Sequence, residues 1–234
     1  MVMIRRPFTR RRPRRVALVG IDGSGKTTQA HRLAAALTAA GTPAGYWRNA
    51  GGRRWMDRLA HRIGRPDARR VLGRGGLLLV ESALRWLAIA WALVRSSFTG
   101  RIAVMDRYAV CQYVSLRAHG GGRWERLARV AYRIFPSPDV TFLLDVRPAE
   151  AYRRIEARGT DHETMEYLLA ADAAYRLLPE ATAFVRVDAN GPAERVTAAL
   201  LAALSPAAVA QPRAAETGAA PTGTAEPAPL APAA

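Results

Sequence analysis

The chain has 234 residues, half of them hydrophobic, and a formal net charge of +16. That length and apolar content exclude an unfolded chain and predict one domain of roughly 200 ordered residues. Its single cysteine, Cys111, excludes an internal disulfide and fits a reducing, cytoplasmic setting.

Residues 1–15 hold seven arginines and no acid, so nine of the sixteen net charges remain for the rest. With Pro7 and Pro13 this segment reads as a disordered basic arm. No apolar stretch with a small-residue cleavage site follows it, so no signal peptide is expected. A basic excess suits nucleic acid. A solvated arm plus a site built for polyanionic substrates accounts for it better, so nucleic acid is not the expected partner.

Val16–Gly20 is short and continuously apolar, as strands buried on both faces are. It leads into Gly20-Ile21-Asp22-Gly23-Ser24-Gly25-Lys26-Thr27-Thr28, which fits G-x-x-x-x-G-K-[ST], and then into a helix over Lys26–Ala40 stopped by Gly41. Lys26 is the only lysine; the other 34 strong cations are arginines. A compact, flexible ammonium kept at this one place predicts a triphosphate cradle for ATP and Mg²⁺. Gly20, Gly23, Ser24 and Gly25 let backbone N–H groups face the phosphates. Lys26 reaches the β and γ phosphates, the Thr27 hydroxyl ligates Mg²⁺, and Thr28 adds a hydroxyl toward the α phosphate. Asp22 is an acid inside an anion-binding loop. It is either a turn former or an acceptor for a substrate hydroxyl or amine across the cleft.

Further strands are predicted at Gly45–Arg48, Ile102–Asp106, Val140–Val146 and Phe184–Asp188. Helices are predicted at Gly76–Ser97, Arg123–Phe135, Ala149–Arg158, Glu163–Leu178 and Ala193–Leu204. The alternation implies an α/β fold over residues 16–204, a P-loop NTPase-type three-layer α/β/α arrangement with a five-stranded parallel sheet. Gly20, Arg48, Asp106 and Asp145 all fall at predicted carboxyl ends, where such sheets bind ligands. Asp145 reads as structural, and Asp106-Arg107 as either a functional pair or an ion pair at a strand end. Leu77–Val94 is apolar and contains Trp86 and Trp91, but Glu81 and Arg85 lie one helical turn apart within it. Both would be costly at a bilayer centre, so a long buried helix is expected, without stable membrane association. Residues 205–234 are mostly Ala, Pro, Thr and Gly and read as a disordered tail.

The stretch G-I-D-G-S-G-K-T-T-Q, ending at Gln29, resembles the opening of the thymidylate kinases. Asp106-Arg107-Tyr108 resembles that family's D-R-[YHF] motif. Leu143-Leu144-Asp145-Val146-Arg147-Pro148, then Ala151 and the run Arg153 to Gly159, resembles its strand, following helix and lid start. Asp188-Ala189-Asn190 resembles its last strand-to-helix turn. The resemblance implies a P-loop nucleoside monophosphate kinase with a short lid, transferring the γ-phosphoryl of ATP to a monophosphate acceptor, dTMP. It implies that Asp22 contacts the acceptor's 3′-hydroxyl, that Arg48 and Arg107 grip its phosphate, and that Asp106 lies near the Mg²⁺ waters. Arg85 would read the base. Among the aromatic residues, Tyr108 is the best placed to line the acceptor pocket. Arg158, with Arg153 or Arg154, would face ATP, and Asp161 and Glu163 would be lid acids. A homodimer through the long apolar helix is also implied. The chain departs from the family in three places: Asn49-Ala50 follow Arg48 where the family has E-P, no A-D-R triplet precedes Trp86, and Cys111-Gln112 follow D-R-Y. Two other readings therefore stay open, a kinase of the same fold with a different acceptor and a nucleotide-gated nucleic-acid-binding ATPase.

Overall fold

The structure, a computed structural model, describes residues 13–49, 51–52, 56, 58–59, 62, 64, 68–159 and 163–205. The expected basic arm up to residue 12, the tail from residue 206, and Thr160, Asp161 and His162 of the expected lid lie outside the described residues. Five strands, β1 (Arg15–Val19), β2 (Ala44–Arg48), β3 (Ile102–Asp106), β4 (Val140–Asp145) and β5 (Val185–Asp188), form one parallel sheet in the order β2-β3-β1-β4-β5. Val16, Ala17, Leu18 and Val19 are all 0% exposed. Successive strand residues point to opposite faces, so both faces of the sheet are covered, as a three-layer fold requires.

The helices are α1 (Lys26–Ala39), α2 (Ala68–Ser97), α3 (Ala109–Ala118), α4 (Gly122–Tyr132), α5 (Pro148–Arg158), α6 (Met165–Arg176) and α7 (Ala193–Leu204). Helix α1 packs on β1, β2, β3 and α7, while α3 packs against α2, α4 and α6. The register sets Leu18 and Arg48 level with Asp106, and Asp145 level with Asp188. The strands therefore end together and present their last residues to one cleft. At the opposite end the Asp139 carboxylate accepts the N–H groups of Arg14 (2.7 Å) and Arg15 (2.8 Å), fixing the chain where it enters the sheet.

Helix α3 is an element the sequence pattern missed. Every residue from Ala109 to Leu116 is buried. A helix buried all round has no apolar stripe, so the period that reveals amphipathic helices is absent. Helix α2 starts at Ala68, before the expected Gly76, and carries a break at Gly73 (φ 67°, ψ 174°). The expectation that it is a buried helix is corrected. Gly75–Ser97 is long and apolar enough to cross a membrane by length and composition, yet only 22% of its most apolar stretch is buried. Leu79, Leu87, Trp91 and Val94 are more than half exposed. Between α2 and α4 lies an apolar groove of 410 Å³ that includes Leu79, Trp86, Leu87, Trp124 and Leu127. Glu81 and Arg85 are instead turned inward, 5% and 3% exposed.

Candidate functional site

The turn from β1 into α1 is set by glycine. Gly20, Gly23 and Gly25 have φ of 147°, 80° and 87°, a region side chains rarely adopt. A Cβ on Gly23 would lie 2.4 Å from the Ala151 carbonyl oxygen, so the loop rests directly on the first turn of α5. Gly25 caps α1 without any side-chain hydrogen bond. The first-turn amides of α1 thus receive no capping side chain, and with the positive end of the helix dipole they form an anion seat.

Lys26 is 4% exposed. Its Nζ donates to the Ile21 carbonyl (2.6 Å) and lies 3.5 Å from Asp22 Oδ1. Burial pulls its pKa below the ordinary lysine value, with Arg107 adding to the effect and Asp22 opposing it. Asp22 also accepts from Arg107 Nη2 at 2.5 Å. Burial opposes the Arg107 charge, but the Asp22 carboxylate prevails and raises its pKa. Arg107 holds φ at 74°, the one non-glycine residue in the left-handed region among the described residues. Its N–H donates to Leu18 O, and a strained backbone at a strand end in a cleft is a mark of a functional position.

The Thr27 hydroxyl donates to Asp106 Oδ2 at 2.6 Å, and the Tyr46 hydroxyl reaches the same oxygen at 3.2 Å. Burial and this carboxylate push the Tyr46 phenol up to about 12, so it remains a donor. Asp106 Oδ1 is buried without a hydrogen-bond partner. A hydroxyl and an orphaned carboxylate oxygen side by side fit a hard cation such as Mg²⁺. Among the described residues no group of three or more His, Cys, Asp or Glu could hold a metal, so the remaining ligands would be phosphate oxygens and water.

Arg48 is exposed at the carboxyl end of β2, in register with Asp106. Asn49 beside it was not singled out by its type. It is fully buried; its N–H donates to Asp106 O (3.0 Å) and its Nδ2 to Arg107 O (2.8 Å), tying β2's exit to the D-R pair. Gly51 then passes over α2 so closely that a Cβ would lie 2.3 Å from Glu81 Cγ and 3.1 Å from Arg85 Nη2. Arg85 Nη2 donates to Glu81 at 3.0 Å. Asn49 and Gly51 thus link the D-R pair to Arg85.

Three expected positions differ. Tyr108 is 3% exposed and its hydroxyl donates to Pro136 O (2.6 Å), so it belongs to the core rather than to the cleft lining. Arg154 donates to Glu150 (2.7 Å), Ala189 O (2.9 Å) and Asn190 O (3.0 Å), clamping the turn after β5 instead of facing phosphates. Arg153, with its side chain 71% exposed, pairs with Glu150. The bonds from Arg153 and Arg154 hold the Glu150 carboxyl at about 2. Arg158 is exposed at the end of α5. Ser24, one of the loop residues, is 1% exposed and its hydroxyl has no partner. Asp145 accepts from Arg176 and Arg186, the structural role expected of it.

A glycine-bent loop between a central parallel strand and a helix, with its lysine beneath and an acid at the end of the adjacent strand, defines a P-loop nucleotide-binding α/β protein. A family model described as thymidylate kinase matches residues 18–200. The chain belongs to the thymidylate kinase family. It is 31% identical over 145 residues to a thymidylate kinase of Chlorobium phaeobacteroides, covering 59% of this chain and 64% of that one. It is 35% identical over 149 residues to one of Xanthomonas euvesicatoria, covering 62% and 61%. Against one of Xanthomonas campestris it is 31% identical over 203 residues, covering 81% and 84%. The chain thus spans less than two thirds of the length of the first two relatives, and more of the third.

Proposed function

We propose that this chain transfers the γ-phosphoryl group of ATP to a nucleoside monophosphate, and that the acceptor is dTMP. The observation that carries the reading is the meeting of two cationic sites across Asp22: the amide-lined loop with Lys26 on one side, and Arg107 with Arg48 on the other. Phosphoryl transfer demands positioning and charge neutralisation above all. Lys26 donates to the Ile21 carbonyl and Arg107 pairs with Asp22. A phosphate oxygen is a stronger partner for each. Arg107 would then grip the acceptor phosphate, and Lys26 the β and γ phosphates. Asp22, freed of part of its load, would take the acceptor's 3′-hydroxyl. Thr27 and Asp106 would hold Mg²⁺, which supplies neutralisation of the β and γ oxygens. Arg158 at the start of the lid segment would close over the transferred group. The choice of dTMP is supported by the name shared by the relatives.

The exposed apolar face of α2 supports a homodimer, and no stable attachment to membrane or nucleic acid is part of this reading. A cytoplasmic setting fits the one buried thiol, Cys111. ADP release measured over a panel of deoxynucleoside monophosphates and other phosphoryl acceptors tests the reading. dTMP is expected to give the highest kcat/KM. Turnover of another acceptor with none of dTMP would leave the fold and the ATP site but remove the acceptor assignment.

A further inference from the structure

Next to the cleft lies a set of buried polar groups that phosphate chemistry does not use. Gln112, on α3 five residues after Arg107, is 0% exposed. Its Nε2 donates to Ser82 Oγ at 2.7 Å. The Ser82 hydroxyl is itself a donor to Leu78 O at 2.8 Å, one turn back along α2. A hydroxyl has one proton. With that proton committed to Leu78, Ser82 can only accept from Gln112, which fixes the amide: Nε2 on Ser82, Oε1 turned away. That Oε1 is buried and has no hydrogen-bond partner among the described residues. One residue before Ser82, Glu81 accepts from Arg85 Nη2, and Arg85 Nε is likewise buried and unpartnered. Gly51 of the acceptor-side loop lies directly on this pair. An acceptor on Gln112 and a donor on Arg85, both buried and without a partner, are costly unless a ligand or water satisfies them.

We infer that Ser82 is a positioning residue for acceptor selection: it holds the Gln112 amide so that its carbonyl meets a ring N–H, as in an imide base, and rejects a ring nitrogen that is itself an acceptor. The inference deepens the dTMP reading and rests on it. An imide edge places an N–H beside a C=O, which calls for an acceptor such as Gln112 Oε1 and a donor such as Arg85 Nε. The ring nitrogen of an amino-bearing pyrimidine would face Gln112 Oε1 lone pair to lone pair. A freely turning Gln112 would accommodate both bases by presenting either its oxygen or its NH₂. Ser82 removes that choice, so discrimination originates on α2 in a side chain that need not touch the base.

The experiment compares wild type, Ser82→Ala and Ser82→Thr with dTMP and dCMP. Wild type is expected to favour dTMP. In Ser82→Ala the ratio of kcat/KM values, dTMP over dCMP, should fall by about tenfold, the size of one neutral hydrogen bond. The change should lie in KM, with kcat for dTMP within about twofold. Ser82→Thr keeps the hydroxyl and should restore the ratio. An unchanged ratio in a Ser82→Ala protein with the wild-type unfolding midpoint overturns the inference while leaving the dTMP reading standing. A Ser82→Thr variant as impaired as Ser82→Ala also overturns it, since bulk rather than the hydroxyl would then matter. A wild type that turns over dCMP and not dTMP overturns the acceptor reading and this inference together.

Discussion

The loop after β1 and the inner face of α2 flank the same cleft and are built by opposite means. The loop is held by backbone. Three positive-φ glycines shape it, and a Cβ at Gly20 or Gly23 would strike carbonyl oxygens of Leu144 or Ala151. The α2 face is held by side chains, through the Glu81–Arg85 and Ser82–Gln112 bonds, with Gly51 the backbone contact that closes over it. A triphosphate is the same in every nucleotide, so it can be bound by main-chain amides that no ordinary substitution alters. A base must be told from its neighbours, which requires donors and acceptors of chosen sign. Under the proposed function, the contrast would separate a part that defines the reaction from a part that selects the partner.

The contrast breaks most visibly at Lys26. Lys26→Ala should reduce phosphoryl transfer by about 10³-fold or more, since it removes the charge beneath the transferred group. The unfolding midpoint should stay near wild type; activity within about tenfold of wild type would detach Lys26 from the chemistry. Gly51→Ala probes the other region. Its Cβ would press on Glu81 and Arg85, and the KM for the acceptor should rise by about tenfold while the KM for ATP holds. Equal rises in both constants would mean that the two regions are not separable.

The smallest effect lies outside the cleft and sharpens the comparison as a control. Glu125 is buried and bonded to Arg117 and Arg129. Its burial would raise its pKa, but the bonds from the two arginines prevail and hold it below the usual carboxylate value. A carboxyl lowered by folding stabilises above its unfolded pKa, and that contribution is lost as pH falls through the folded value. Glu125→Gln should therefore cost roughly 1–2 kcal/mol at pH 7, reduced by the partial exposure of its partners, or about 3–5 °C in the unfolding midpoint. The gap to wild type should close as the pH falls below the ordinary carboxylate value and through the lower folded one. kcat and both KM values should be unchanged; a shift in any of them would tie this network to the cleft.

The sequence announced the phosphate side because its constraints are written in spacing: glycines, one lysine and a threonine at fixed offsets after an apolar strand. The positions of the strands along the chain, and the placing of Gly20, Arg48 and Asp106 at their carboxyl ends, followed from the apolar runs; the order of the strands within the sheet did not. Two kinds of feature escaped. Helix α3 is buried all round, so no polar stripe betrayed it, although it carries Gln112. Side-chain commitments escaped too. Nothing in the string Arg153-Arg154 says that the second arginine turns to the carbonyls of Ala189 and Asn190, or that Tyr108 sends its hydroxyl to Pro136. Asn49 differs from the family pattern and could have been flagged by that alone, but its bond to Arg107 O is a tertiary fact. The inward turn of Glu81 and Arg85 was foreshadowed by their one-turn spacing within an apolar helix; the outward turn of Leu87 and Trp91 was not.

The chain carries a single ε-amine, at Lys26. Reagents that acylate amines therefore have one internal address, and it lies under the nucleotide loop. Burial favours the uncharged, reactive form of that amine while restricting approach to it. Beyond any increment at the α-amine, one mass increment per molecule, suppressed when the loop is filled, would report occupancy directly without any engineered tag.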